Sequence, residues 1–203
     1  MMNIDLEKTR RTVFAAAVLI GAAAISACFG DSDTVGKVDA FTERTEPLLE
    51  KDNRLAEEYH VLLEQVHEKV RQPEDVESVI ASGLLGQIAD NADKALANSS
   101  QYQEELKRLF DSLDEESPCH QPEVAESLGE MIAEKKQAIV KLRKLENGDL
   151  EDSSSMAIVG TTANASAAGM SGMMEMFKAC MVPAAMGMTK SEVEEQARKN
   201  NES

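Results

Sequence analysis

The chain has 203 residues and a formal charge of −16, and aromatic residues make up only 3% of it. Such an acid excess opposes binding to nucleic acid or to anionic lipid head groups, and the length suits one domain. Without Trp and with few Phe and Tyr, the core must come from Leu, Ile, Val, Met and Ala, a composition typical of helical bundles.

Arg10 and Arg11 lead into an apolar run from Thr12 to Ala24, and Ile25-Ser26-Ala27 then precede Cys28. A basic start, an apolar middle and small residues at a cleavage site are the parts of a secretory signal. Thr9 to Val13 also resembles part of a twin-arginine export signal. Residues 25–28 resemble the lipobox of bacterial lipoproteins, a resemblance confined to residues 1–28. It implies cleavage between Ala27 and Cys28, a diacylglycerol on the Cys28 thiol and a further acyl chain such as palmitate on the new amine. Each buried methylene contributes about 0.8 kcal/mol, and two or more chains convert marginal membrane binding into stable anchoring. The apolar run itself is too short to span ~30 Å of hydrocarbon, which takes about 20 residues.

The resemblance thus implies a bacterial cell-envelope location facing the periplasm, with the membrane engaged through the anchor. Phe29 and Gly30, where sorting is read in some bacteria, leave the choice of inner or outer membrane open. The expected organisation is a signal peptide over 1–27, a lipidated flexible tether over 28–38 and a helical domain over 39–203.

Asp31 to Lys37 is polar and aperiodic and reads as spacer. Pro47, after Thr45, suits a first helical turn. Leu48, Leu55, Leu62, Val66 and Val70 then recur at helical spacing, and Pro73 ends that helix. Pro73-Glu74-Asp75 opens a second one, striped by Val76, Val79, Ile80, Leu84, Ile88 and Ala92. Gly83 and Gly86 weaken it by about 1 kcal/mol each and leave room for a close neighbour. Asn98-Ser99-Ser100 predicts a break or kink, with Ser100 to Gln103 as a capping box, before Leu106, Leu109, Phe110 and Leu113.

Residues 117–122 form a loop, and Pro122 starts a helix carrying Val124, Leu128, Met131, Ile132, Ile139, Leu142 and Leu145. Gly148 is a natural stop. After a polar turn, Met156 to Met181 presents a seam at Met156, Val159, Ala163, Ser166, Met170, Met173, Phe177 and Cys180, ended by Pro183. Thr189 to Glu192 is a further capping box opening a charged terminal helix. The fold class expected is all-α, an antiparallel bundle of four to five helices.

With Cys28 lipidated, Cys119 and Cys180 remain, open to a disulfide, two free thiols or a metal pair. The helices on either side of the 148–155 turn are both about 38 Å long at 1.5 Å per residue. Folding them back returns residue 119 beside residue 180, so a disulfide would staple the open end of a helical hairpin.

Candidate chemistry is sparse. Glu57-x-x-His60 and Glu64-x-x-His67 have the spacing of four-helix di-metal sites, but both lie on one helix, so solvated surface residues are expected and no metal or other cofactor is assigned. Met170, Met173, Met174, Met176, Met181, Met186 and Met188 crowd one stretch. Thioethers are soft Cu(I) ligands, and these spacings resemble the methionine motifs of envelope copper proteins; methionine is equally a gap-filling and docking residue. Met156 to Met174 carries no charge, but its Thr, Asn, Ser, Gly and Ala content disfavours membrane partition. No nucleophile with a base, phosphate loop or histidine-rich metal motif is present, so no enzyme is expected. The reading is a lipid-anchored interaction protein that docks an envelope partner through Met170, Met173, Met174, Met176 and Phe177. Methionine-rich Cu(I) capture is its alternative.

Overall fold

The computed structural model describes residues 32–69, 76–149, 177 and 179–201. Among these residues the protein is an all-α bundle. Helix α1 is Ser32–Lys69, α2 is Val76–Ala81, α3 is Leu84–Ser112, α4 is Pro122–Glu146 and α5 is Lys190–Asn201. Residues 179–185 add helical turns before α5.

Helix α3 is central, with α1 on one flank and α4 on the other. Asn98 donates to the Leu48 carbonyl and Asn91 to that of Leu55, so α1 and α3 run antiparallel. Gln103 reaches the Ala125 carbonyl while Arg143 meets Asp90 and Asp93, so α3 and α4 are antiparallel too.

Most of the buried apolar residues among those described fall into two clusters. One gathers Val38, Phe41, Tyr102, Leu106, Leu109, Phe110, Leu128 and Phe177 around the disulfide. The other gathers Tyr59, Val66, Val79, Leu85, Ile88, Leu142 and Leu145 at the far end. Asp52, Asn98 and Lys135 are buried between these clusters in sequence position along their helices. The core therefore has a polar waist.

Several local expectations are corrected. Residues 32–38, assigned to a flexible tether, are the opening turns of α1; Thr34 and Val38 are buried there because the apolar stripe that includes Phe41 begins earlier than the leucine repeat suggests. Thr45 and Pro47 do not start a helix but lie inside α1. The Thr45 hydroxyl donates back to the Phe41 carbonyl, and the exposed Pro47 removes one backbone donor on the side of α1 away from α3. The predicted break at Asn98-Ser99-Ser100 is absent, since α3 runs through it. Ser99 and Ser100 donate to the carbonyls of Ala95 and Leu96, and Asn98 is drawn sideways to α1. Hydroxyls and amides that compete with a helix elsewhere are here satisfied without leaving it.

The break occurs instead at Gly83, whose φ of 71° is left-handed and separates α2 from α3. Gly86, one turn on, is buried beneath the Glu146 carboxylate of α4. The helical turns also continue past Pro183 to residue 185.

Other expectations hold. Helix α4 begins at Pro122 and stops before Gly148, which takes φ 81° while the Asp149 amide caps the Lys144 carbonyl. Thr189 and Glu192 form a reciprocal capping box at α5, the Thr189 amide donating to the carboxylate and the Glu192 amide to the hydroxyl. Among the described residues no helix is long and apolar enough to cross a membrane.

Candidate functional site

The best-determined chemical feature is the stapled end of the bundle. Leu113 leaves α3 with extended backbone angles, and the chain then folds into a tight loop around the Ser117 hydroxyl. That oxygen accepts the Cys119 amide and lies 3.3 Å from the Thr34 hydroxyl of α1. Cys119 is bonded to Cys180 with Cα atoms 5.1 Å apart, inside the usual range for a bridge. The Lys190 amide donates to the Glu116 carbonyl at 2.7 Å, and Ser191 to the Glu116 carboxylate. One loop therefore ties together the start of α1, the disulfide and the start of α5. The sequence expectation of a Cys119–Cys180 bridge is met; residues 150–176, which would form most of the second arm of the hairpin, lie outside the described residues.

Aromatic packing sits directly beneath. Phe177 lies 5.2 Å from Phe41 and 6.1 Å from Phe110 by ring centroids, and Phe41 meets Tyr102 edge-on. Phe177 was expected to help form a docking face, and this is corrected: it is only 3% exposed and belongs to the core. Its position three residues before Cys180 places it on the inward side of the same helical turn. Met170, Met173, Met174 and Met176 lie outside the described residues, as do Ala27 and Cys28. Met181 packs against the core, whereas Val182 and Met186 are exposed at 63% and 65%.

Among the described residues, open concavities mark the surface. One, of about 470 Å³, lies between Met186, Gly187, Met188 and the α5 side chains Glu192, Glu195 and Lys199. Another, of about 410 Å³, runs between α1 and α3, with Val61 and Leu62 as its apolar lining and Glu58, Asp90 and Lys94 among its polar residues. Val61 is 53% exposed there. His60 and His67 are exposed with Glu57 and Glu64 on α1. No group of three or more metal-ligating side chains occurs among the described residues.

Sequence reasoning missed the waist. Asp52 and Lys135 sense one another electrostatically from α1 and α4, beside Asn98, whose amide donates to the Leu48 carbonyl. Burial pushes the Asp52 carboxyl up, against the pull of Lys135 and Asn98. Burial likewise pulls the Lys135 amine down, against Asp52. Asp52 Oδ1, Asn98 Oδ1, Tyr102 Oη and Lys135 Nζ are all buried without a hydrogen-bond partner. The signal was available. Asp52 falls on the Leu48–Leu55 stripe, and Lys135 falls between Ile132 and Ile139 at helical spacing.

No protein family, characterised protein sequence or solved structure matches this chain.

Proposed function

We propose that this protein is a lipid-anchored adaptor of the bacterial cell envelope that holds a partner protein close to a membrane. The observation that carries the reading is a disulfide-bonded helical body that begins four residues after a lipobox-like cysteine. Disulfides persist in oxidising compartments outside the cytosol, which agrees with an export signal and an acylated Cys28. The acidic charge of −16 suits a body kept soluble above anionic head groups by its tether rather than adsorbed through its surface.

For the partner surface, the groove between α1 and α3 is the better candidate now that Phe177 is buried. Val61 and Leu62 offer an apolar strip, and Glu58 places a carboxylate on its edge, while Asp90 there is paired with Arg143. An amphipathic helix with basic flanking residues complements both features, in the helix-in-groove mode of recognition. The test is photo-crosslinking in intact envelopes from position 61 and, separately, from position 173. A single protein adduct from position 61 that disappears with Glu58→Lys supports the groove. Adducts from position 173 alone move the surface to the methionine-rich stretch, and lipid adducts or none at both positions reject an adaptor.

A further inference from the structure

We infer that the disulfide-stapled end of the bundle lies against the lipid bilayer, with Val182 and Met186 seated among its head groups. This rests on the reading that Cys28 is acylated. Three residues lie between Cys28 and Ser32, where α1 begins, and the four steps from one to the other span at most roughly 14 Å even when fully extended. The acylated sulfur is held at the head-group level, so the first turn of α1 cannot move farther than that from the lipid surface.

Contacts within the fold show which surface travels with it. Thr34 meets Ser117, Lys37 donates to the Ser112 carbonyl, and Cys119 is bonded to Cys180. Val182 and Met186 follow Cys180 by two and six residues, and the chain turns at Gly187 with φ 72° before Lys190 returns to Glu116. The two most exposed large apolar side chains of the described residues are therefore on the end that the anchor holds down. Chain length thus says what covers them. Apolar side chains at an interface seat about 5–10 Å into the head-group boundary.

Charge specifies the lipid. Asp114, Glu115 and Glu116 are exposed in the same loop, while Lys37 and Lys190 are turned onto backbone carbonyls. Zwitterionic head groups accept this end, and anionic ones repel it at low salt. The groove at Val61 lies 29 residues along α1 from Ser32, about 43 Å by helical rise, which leaves it clear of the contact.

Because the chain contains no tryptophan, single reporters can be introduced cleanly. The acylated mature protein carrying Val182→Trp, Met186→Trp or, at the opposite end, Asn147→Trp is reconstituted into phosphatidylcholine vesicles containing brominated lipid. Mass spectrometry first establishes the acyl chains on Cys28. The expected result is loss of fluorescence with a blue shift for Met186→Trp and Val182→Trp, none for Asn147→Trp, and weaker quenching when phosphatidylglycerol is added at low salt. Equal quenching at both ends, or quenching of Asn147→Trp alone, in acylated protein overturns the orientation and leaves the anchor standing. A mature protein without acyl chains overturns both.

Discussion

Asp52 and Lys135 occupy positions where their helices otherwise place leucine and isoleucine, and each is only 5% exposed. Two ions taken from water lose several kcal/mol of hydration each, which their attraction recovers only with good geometry and full hydrogen bonding. Here three polar atoms of the waist, on Asp52, Asn98 and Lys135, are unpartnered, so the pair does not stabilise the fold strongly. It does penalise alternatives, because sliding α4 by one turn would leave each charge facing hydrocarbon. Lys135→Met removes the nearest cation from the buried Asp52 carboxyl and is expected to lower stability at neutral pH, whereas Asp52→Leu with Lys135→Met is expected to be neutral or stabilising. The pH dependence follows from the sign of the shift. Asp52 is raised above its ordinary 3.8, so as pH rises the unfolded chain gives up its proton first and stability falls until the folded carboxyl has also ionised. Urea midpoints at acidic and neutral pH check this: the deficit of Lys135→Met shrinks on acidification, and the double variant shows no such contribution. At Gly83, φ 71° is a left-handed conformation, and Gly83→Ala is expected to cost about 1–2 kcal/mol in the same assay.

At the scale of elements, the disulfide closes a segment of 61 residues. Chain-entropy reasoning gives about 4 kcal/mol for a loop of this size. Cys119→Ser with Cys180→Ser is expected to lower unfolding free energy by that order. The loss should be felt first at α5, whose described side chains are mostly exposed and which is tied to the bundle through Glu116. Hydrogen exchange resolved along the chain would show it: α5 opening before α3 agrees, and simultaneous opening of both does not. Helix ends were legible wherever the cue was local. Pro122, Gly148 and the Thr189–Glu192 box act within a single turn of backbone, and each does in the structure what its chemistry predicts. Cues failed where a neighbouring helix intervened. Thr45, Pro47 and Ser99 read as boundaries in isolation, yet packing between α1 and α3 outweighs a preference of about 1 kcal/mol at the hydroxyls and about 3 kcal/mol at the proline.

On the scale of the whole molecule, the proposed anchor and the observed fold set one geometry. A helix of 38 residues is about 57 Å long, and its first turn is leashed within roughly 14 Å of Cys28. With that proposed anchor, the protein would act near the membrane that holds it. Cys28→Ser is expected to move the protein from the membrane pellet to the soluble fraction, read by immunoblot after alkaline extraction. Persistence in the pellet would remove the basis for both the adaptor role and the orientation. Arg143, bridging Asp90, Asp93 and Glu146 on the outer face, is an exposed network of modest strength at physiological salt. It aligns α4 with α3 but does not hold the fold together.

The linear chain by itself determined the helical class and the α3 and α4 stripes, and it brought Cys119 within reach of Cys180. These depend on periodicity, loop length or a short motif, all of which are properties of near neighbours. Only the tertiary structure decided that Phe177 faces inward, that α1 starts at Ser32 and that Asp52 and Lys135 share one buried layer. Each of those depends on which helix lies across from which, and the free energy that selects the arrangement comes from surfaces meeting between segments far apart in the chain.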